Sequence, residues 1–280
     1  MTNASERRRL MVERARKTGY VLSKVVEDEF AVDSSTIRRD LARLEADGLV
    51  IRTQGGFLPV ESNESVDYPY EPRRQFRSSA KSHLGEYAAS LVKDGQTVLI
   101  DSGSTTWHVA NNLKSKQNIT VITNDLQIAL LLSECSNINL HVTGGVRVDT
   151  VYTLVGPHTV DYINRIHVDI AFIGAEAVEA ELGVSNVNVI EVPVKQAMIR
   201  AADSAVLVTD SSKLGKRSFA RVCGIDELTQ IVTDGRVAPE QRKAFGQKLN
   251  IMFCATNELG SGRIGARLGR RTVRSGMDSG

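Results

Sequence analysis

The sequence predicts an α/β protein in two parts, in which a small unit of three helices and a β-hairpin precedes a larger domain with a mainly parallel sheet. Three observations support this. Residues 1–60 combine helical apolar spacing with two short strands around a glycine pair. From about residue 78 onward, β-branched apolar runs alternate with polar loops and helices. A polar segment that contains Pro69 and Pro72 separates the two patterns.

The composition is typical of a globular protein able to bury a large core. Of the 280 residues, 41% are hydrophobic and 24% are charged, and the formal net charge is +2. The three cysteines stand far apart, and the five histidines show no metal-ligand spacing, so we expect no disulfide framework, no metal and no cofactor. The N-terminus lacks an apolar signal core, and no segment reaches membrane-spanning length. We therefore expect a cytoplasmic protein with no membrane partner.

Helical periodicity defines three helices in the first part. Apolar residues recur at helical spacing in each of them, at Leu10 and Met11, at Val25, Val26 and Phe30, and at Ile37, Leu41 and Leu44. Asp33 stands at the N-cap position of the third helix, and Gly19 and Gly48 are expected to end the first and third helices. The predicted helices span Ser5–Lys17, Leu22–Phe30 and Ser34–Ala46.

Two short strands follow the third helix, in the stretch LVIRTQGGFLPV, and turn at Gln54-Gly55-Gly56. Three helices and a hairpin form a winged helix-turn-helix, in which the third helix lies in the DNA major groove. Hydroxyl and guanidinium groups suit phosphate and base contacts, and glycines in the wing permit close approach to the backbone. A charged helix face that binds nothing is the alternative. The predicted DNA-binding residues are Ser34, Ser35, Thr36, Arg38, Arg39, Arg52, Gly55 and Gly56.

The stretch TIRRDLARLEADGLVIRTQGG resembles the DNA-binding segment of the DeoR family of bacterial transcription regulators. In that family two residues separate a serine from TIRRDL, two more residues separate TIRRDL from an LE pair, and an arginine comes shortly before a GG wing. This chain departs from the pattern at Asp33, which replaces the serine usual at the helix start. The resemblance implies double-stranded operator DNA as a partner, and the departure implies altered phosphate contacts or operator preference.

The larger domain repeats one sequence pattern: an apolar strand, a small polar loop and a helix. A helix over Ser78–Val92 precedes it, with Leu84 and Ala88 among its inward residues. The strand runs are TVLI, ITVIT, NINLHV, HVDIAFIG, SAVLVT and LTQIVT, and the pattern ends near NIMFCA; HVDIAFIG leads into AEAVEAELGVS. Such alternation predicts a mainly parallel sheet, and its polar loops then lie at the carboxyl ends of the strands, where open α/β sheets bind ligands.

The polar loops suit a small hydroxylated anion. DSGSTT offers hydroxyls and a helix N-terminus to a phosphate, TGG adds exposed backbone and Arg147, and Glu191 and Lys195 stand four residues apart. A sugar phosphate is the ligand class that these groups favour, although each loop taken alone is more often a plain turn. The predicted effector-binding residues are Asp101, Ser102, Gly103, Ser104, Thr105, Thr106, Asn124, Gly144, Gly145, Arg147, Glu191, Lys195, Asp210 and Lys213.

The larger domain also resembles the DeoR-type effector domain, because eight motifs occur in the order seen there: DSGSTT, TND, TGGVR, LVGP, DIAFIGA, GVS, EVPVK and DSSKLG. Together with the N-terminal part, the resemblance covers roughly residues 5 to 256. That domain resembles ribose-5-phosphate isomerase, which implies a phosphorylated sugar or related metabolite as inducer. A second departure is Ala177, where family members commonly carry glycine; it implies a narrower pocket or a changed loop.

The sequence thus divides into a winged helix-turn-helix domain (1–60), a linker (61–77), an α/β effector domain (78–256) and a disordered basic tail (257–280). We expect a sequence-specific regulator, a repressor of carbohydrate metabolism genes relieved by a phosphorylated sugar, acting as a homodimer or homotetramer and not as an enzyme. A sugar-phosphate isomerase with an appended DNA-binding module is the main alternative. A scaffold whose small domain binds protein is the weaker one.

Overall fold

The computed structural model describes residues 3–18, 20–47, 49–53, 55–59, 78–148, 151–246 and 251–254. The predicted linker at 61–77 and tail at 257–280 lie outside these ranges, as do the predicted helix ends at Gly19 and Gly48 and the turn residue Gln54.

The first part is a winged helix-turn-helix, as predicted. Its elements are α1 (Ala4–Thr18), β1 (Val21–Leu22), α2 (Ser23–Phe30), α3 (Ser34–Ala46), β2 (Val50–Thr53) and β3 (Gly56–Pro59). The strands form an antiparallel sheet in the order β1-β3-β2. The bounds of α3 agree with the prediction, because Asp33 caps the helix and Ile37, Leu41 and Leu44 are all buried.

Two details of this part differ from the prediction. Leu22, expected at the start of the second helix, belongs instead to β1, where Val21 pairs with Phe57 and Leu22 with Gly56. Val25, expected to face inward, is 38% exposed, whereas Val26 is fully buried. A two-residue strand carries no period-2 signal, so the tertiary pairing with β3 decides its conformation.

A buried ion pair joins α3 to α1. The Nε atom of Arg7 lies 2.6 Å from Oδ2 of Asp40, and both side chains are 9% exposed. Asp40 follows Ile37 by three residues and precedes Leu44 by four, so helical geometry places its carboxylate on the buried face of α3. The pair therefore fixes the helix that is predicted to meet DNA.

The larger part contains a seven-stranded sheet whose ladders are all parallel, as predicted. Its helices are α4 (Ser78–Ser90), α5 (Ser104–Leu113), α6 (Leu126–Leu132), α7 (Pro157–Ile163), α8 (Val192–Arg200) and α9 (Pro239–Gly246). Its strands are β4 (Thr97–Ile100), β5 (Ile119–Thr123), β6 (Ile138–Val142), β7 (Val146–Arg147), β8 (Leu154–Val155), β9 (Val168–Ile173), β10 (Ala177–Glu179), β11 (Gly183–Asn186), β12 (Ala202–Val208), β13 (Ala220–Cys223), β14 (Gln230–Asp234) and β15 (Ile251–Cys254). The β10-β11-β13 and β7-β8 sheets are separate.

The strand order of the main sheet is β15-β14-β12-β9-β4-β5-β6. The chain runs outward in one direction from β4 and in the other from β9, and these two strands are neighbours. Their carboxyl ends therefore form the topological switch point of the sheet, where ligands bind in open α/β folds. One apolar cluster includes Leu99, Ala171 and Leu207, and a second includes Val98, Ile100 and Phe172, as expected for a sheet covered on both faces.

The segment AEAVEAELGVS forms no helix, although the repeated strand–loop–helix pattern predicts one. It forms the β10–β11 hairpin, in which Val178 pairs with Val184. Gly183 has φ +88°, and a Cβ atom there would lie 1.9 Å from the Cys223 carbonyl oxygen. The backbone contact with Cys223 therefore overrides the helical propensity of the alanines and glutamates.

Among the described residues, no helix is both long and apolar enough to cross a membrane.

We predict that Asp40→Ala destabilises the winged domain by about 3–5 kcal/mol, because it removes the carboxylate that neutralises a buried guanidinium. Differential scanning calorimetry of the full chain measures this change. The exposed Arg9–Glu13 pair provides the control, since Glu13→Ala should cost less than about 1 kcal/mol. Equal effects of the two substitutions would contradict the role given to the buried pair.

Candidate functional site

The N-terminal end of α3 is organised by Asp33. Its Oδ1 atom accepts a hydrogen bond from the Thr36 backbone N–H at 2.8 Å, and its Oδ2 atom accepts one from the Thr36 hydroxyl at 3.3 Å. A side-chain hydrogen bond from Ser35 and then the backbone bond from Thr36 lower the pKa of Asp33 to about 2. The carboxylate is therefore ionised at neutral pH and occupied as the helix cap.

The exposed face of α3 carries most of the residues predicted to bind DNA. Ser34, Ser35, Arg38 and Arg39 are exposed, and Thr36 is half-buried. Arg39 folds back along its own helix, where its Nε atom donates to the Ser35 carbonyl at 3.3 Å. The side chain of Arg38 makes no hydrogen bond or ion pair within the part of the chain that the structure describes, which leaves its guanidinium available to an anion.

The predicted wing residues have different roles. The Nη1 atom of Arg52 lies 3.6 Å from Oε2 of Glu45, which ties the wing to the C-terminal part of α3. Gly55 is exposed with φ +97°. Gly56 was expected to permit close approach to DNA, but it is buried, and a Cβ atom there would lie 2.4 Å from the Val21 carbonyl oxygen. Gly56 therefore lets the backbone of β1 pack closely against β3.

At the switch point of the larger sheet, Asp101, Gly174 and Lys195 meet. Asp101 follows β4, Gly174 follows β9, and Lys195 lies in α8. The Gly174 N–H donates to Asp101 Oδ2 at 2.9 Å, and Lys195 Nζ donates to the Gly174 carbonyl at 3.1 Å. Lys195 also forms an ion pair with Asp101, and both side chains are almost fully buried.

The electrostatic environment keeps Lys195 protonated. Burial alone would lower its pKa, but Asp101, Glu191 and Glu176 outweigh burial and raise the pKa above the usual value of lysine. Glu191 is held by the Asn186 amide, whose Nδ2 atom donates to Oε2 at 3.0 Å. A lysine that retains its proton at neutral pH binds anions and hydroxyl oxygens but is not suited to act as a general base.

The loop after β4 leads into α5, and a second buried lysine lies at this point. Lys81 Nζ donates to Ser104 Oγ at 3.0 Å, and both residues are buried. Thr106 Oγ1 donates to the Gly103 carbonyl at 2.9 Å. An ammonium group beside the N-terminus of a ten-residue helix gives a region of positive potential that suits a phosphate.

Ser102 and Asn124 hold this loop to the neighbouring strand end. The Ser102 N–H donates to Asn124 Oδ1 at 3.1 Å, and Ser102 Oγ donates to Asp125 Oδ2 at 2.7 Å. Burial raises the pKa of the Asp125 carboxyl, and the hydrogen bond from Ser102 opposes that rise. These contacts show Ser102 and Asn124 as supports of the loop.

Three further predicted residues lie in or just before β7 and have evident structural contacts. Gly145 has φ +121°, and a Cβ atom there would lie 2.2 Å from Thr159 Oγ1. Gly144 accepts a hydrogen bond from that hydroxyl at 2.7 Å. Arg147, in β7, is exposed and donates to the carbonyl of the next residue, Val148, at 3.3 Å.

The predicted pair Asp210 and Lys213 lies in a short 3₁₀ turn after β12. Asp210 is buried and accepts the Ser212 N–H at 3.0 Å, so its carboxylate caps the turn. Lys213 is half-buried, and Thr105, the second residue of α5, is likewise half-buried. Among the predicted effector-binding residues, Asp101 and Lys195 therefore form an ion pair, Glu191 acts on the charge of Lys195, and Ser102 and Asn124 are hydrogen-bonded to each other.

Sequence reasoning missed Lys81, Asp40 and Asn186. Lys81 shares the register of Leu84 and Ala88 on the buried face of α4, and Asp40 shares that of the apolar residues of α3. A charged residue at a helix position that faces the core requires a partner. The sequence shows such positions, because Lys81 and Asp40 fall at the helical spacing of the apolar residues around them. Among the described residues, no group of three or more His, Cys, Asp or Glu side chains is arranged to hold a metal ion.

Two family models match the chain: a DeoR-like helix-turn-helix domain at residues 7–64 and a DeoR C terminal sensor domain at residues 77–235. The HTH-type transcriptional regulator GlpR of Haloferax volcanii is 32% identical and is aligned over 85% of this chain and 93% of its own length. The glycerol-3-phosphate regulon repressor of Escherichia coli K12 is 27% identical, over 82% and 90%. A ribose 5-phosphate isomerase of Methanocaldococcus jannaschii has a TM-score of 0.37 at 22% identity, covering 49% of this chain and 54% of that one.

We predict that Asp33→Ala lowers the melting temperature of the winged domain at neutral pH, because the α3 cap is lost. The folded pKa is lowered, so the contribution of the carboxylate is present above the ordinary value of 3.8 and is lost as pH falls through about 2. The difference between variant and wild type should therefore shrink over that range. Asp33→Ser retains a cap and serves as the control. A difference that does not change with pH would contradict the assignment.

Proposed function

The chain belongs to the DeoR family of DNA-binding transcriptional regulators, and we propose that it represses genes of carbohydrate metabolism until a phosphorylated sugar binds its sensor domain. The observation that carries the sensing half of this proposal is the Lys195 cluster at the switch point of the sheet, next to the α5 N-terminus and Lys81. Relatives that are themselves repressors, such as the glycerol-3-phosphate regulon repressor of Escherichia coli K12, support repression as the mode of regulation.

In this proposal the N-terminal end of α3 enters the major groove of operator DNA. Ser34, Ser35 and Arg38 are exposed there, and the Arg38 guanidinium has no hydrogen-bond or ion-pair partner among the described residues. Guanidinium groups bind guanine edges or phosphates, and hydroxyls bind phosphates. Arg39 would exchange its weak contacts with Ser35 for contacts with DNA, and the exposed Gly55 turn would approach the backbone.

The effector would bind across the switch point in a defined orientation. Its phosphate would lie at the N-terminus of α5 near Lys81, where the helix dipole and the ammonium both favour an anion. Its hydroxyl groups would face Asp101, Glu191 and Lys195, which accept and donate hydrogen bonds. Gly144, Arg147 and Lys213 are the loop residues proposed to close around it.

Effector binding would reduce DNA affinity by favouring a different arrangement of the subunits. Allosteric coupling of this kind is typically worth about 1–3 kcal/mol. A homodimer or homotetramer is proposed because repeated or palindromic operators are read by symmetric oligomers. Action on DNA would take place in the cytoplasm.

We propose that the sensor domain binds its ligand without converting it. An aldose–ketose isomerase needs a base for a substrate C–H proton. Lys195 retains its proton, Asp101 is engaged by Lys195 and the Gly174 N–H, and Glu191 accepts a hydrogen bond from Asn186. An aldose–ketose assay with the same sugar phosphates tests this point, and turnover well above background would favour the isomerase.

Arg38→Ala is predicted to weaken operator binding by about tenfold or more, because it removes a cation that contacts base or phosphate. Fluorescence anisotropy of labelled DNA from upstream of the protein's own gene cluster, at two salt concentrations, measures the effect. Arg43→Ala is the matched control, since Arg43 lies on the same helix but pairs with Asp47 at 3.2 Å. If Arg38→Ala binds like the wild type, α3 does not contact DNA as proposed.

Lys81→Met is predicted to weaken sugar-phosphate binding by about tenfold or more while DNA affinity is retained, because the ammonium beside the phosphate is lost. Lys213→Ala should act in the same direction. Isothermal titration calorimetry with ribose 5-phosphate, glucose 6-phosphate and glycerol 3-phosphate measures binding. Lys93→Met is the control, because Lys93 is exposed and precedes β4, at the opposite end of that strand. Unchanged affinity in Lys81→Met would remove Lys81 from the site.

A further inference from the structure

We infer that Asn186 is a specificity residue of the sensor site, whose Oδ1 atom accepts a hydrogen bond from a hydroxyl group on the uncharged end of the effector. Asn186 is the last residue of β11 and is 2% exposed. The inference rests on the proposed sensing function and adds to it a residue that neither the sequence motifs nor the predicted site contains.

The orientation of the Asn186 amide is fixed by Glu191. Nδ2 donates to Glu191 Oε2 at 3.0 Å. Rotating the amide by half a turn would place Oδ1 against that carboxylate oxygen, where no proton is available, so Oδ1 must point away from Glu191. Oδ1 is buried and has no hydrogen-bond partner among the described residues. Buried carbonyl oxygens without a donor are rare because they lose their hydration without compensation.

This unpaired acceptor belongs to the polar cluster at the switch point. Asn186 contacts Glu191, Glu191 lies one helical turn before Lys195 and acts on its charge, and Lys195 binds Asp101. The cluster is therefore continuous from the carboxyl end of β4 to the carboxyl end of β11. Along this network only Glu191 stands between Lys195 and the Asn186 amide, so a ligand that contacts Lys195 lies near that amide.

The acceptors of the cluster indicate which end of the ligand lies there. Asp101, Glu191 and Glu176 all act on the ammonium of Lys195, and the Asn186 Oδ1 atom is itself an acceptor. These oxygens disfavour a phosphate, whose own oxygens are acceptors, and a phosphate is accommodated better beside Lys81 at the N-terminus of α5. Hydroxyl groups, by contrast, donate to carboxylate and amide oxygens. The Asn186 end of the site therefore selects an uncharged, donor-rich group and disfavours a second anion such as a sugar-acid carboxylate.

Access to Oδ1 requires a small movement of the 3₁₀ turn Val189–Glu191. This turn carries Glu191 and leaves Val189 and Ile190 about half exposed, at 55% and 49%. Its side-chain cap is the hydrogen bond from the Ile190 N–H to Asn188 Oδ1 at 3.2 Å. None of its three residues is buried, and an outward shift of Val189 and Ile190 that keeps the Asn186–Glu191 hydrogen bond would open the amide to the ligand.

Two asparagine variants distinguish ligand recognition from a structural role. Asn186→Leu keeps a similar shape, loses the bond to Glu191 and also removes an unpaired buried acceptor, so the melting temperature of the free protein should change little. Asn137 is the matched control: it lies just before β6, and its amide donates to the Lys114 and Lys116 carbonyls at 2.9 and 2.5 Å. Asn137→Leu should lower the melting temperature and leave ligand affinity unchanged.

The experiment is calorimetric titration of the full-length wild type, Asn186→Leu, Asn186→Ala and Asn137→Leu with ribose 5-phosphate, glucose 6-phosphate, glycerol 3-phosphate, 6-phosphogluconate and inorganic phosphate. We expect the Asn186 variants to lose about tenfold or more in affinity for the sugar phosphates that the wild type binds, and to keep their affinity for inorganic phosphate. The wild type should bind 6-phosphogluconate more weakly than glucose 6-phosphate.

Three outcomes would overturn the inference. Asn186 variants that bind sugar phosphates as the wild type does would remove Asn186 from the site. Parallel loss of sugar-phosphate affinity, inorganic phosphate affinity and melting temperature would assign it a purely structural role. If the wild type bound no sugar phosphate in the panel, the proposed sensing function would fail, and this inference with it.

Discussion

A charge removed from water must be neutralised nearby, and each part of this protein is organised around one buried ion pair that meets this requirement. In the winged domain, Asp40 of α3 binds Arg7 of α1. In the larger domain, Asp101 binds Lys195, and both groups share hydrogen bonds with Gly174 at the end of the adjacent strand. Because leaving either partner alone would be costly, these pairs determine where α3, α8 and the loop after β4 can lie.

The functional geometry follows from these two constraints. Asp40 fixes the buried side of α3, which leaves Ser34, Ser35 and Arg38 on the outside. Asp101 fixes the start of the loop that leads into α5, so the helix N-terminus and Lys81 come together at the switch point. Other strand-end aspartates have simpler roles. Asp125 caps α6, Asp210 caps a 3₁₀ turn, and Asp234 accepts the Ser211 N–H at 3.0 Å. Position at a strand end therefore does not by itself make an aspartate part of the site.

Local signals explain what could be predicted from the sequence. The bounds of α3 agree because a capping aspartate and a helical apolar period point to the same start. The parallel strands agree because each is a β-branched run bounded by polar residues. The errors arise where tertiary contacts decide: β1 exists through its pairing with β3, and the β10–β11 hairpin through the backbone contact of Gly183 with Cys223. Asn186 carries no motif, and only the pattern of hydrogen bonds around it reveals an unused acceptor.

The central claim is that occupancy of the switch-point site releases the winged domain from DNA. The most direct measurement is fluorescence anisotropy of the full-length protein on labelled upstream DNA, titrated with each sugar phosphate in turn and with inorganic phosphate as a reference. We expect tight, salt-sensitive binding that a phosphorylated sugar reverses and inorganic phosphate does not. Operator binding that no sugar phosphate changes, with calorimetry showing the same compounds bound, would contradict it.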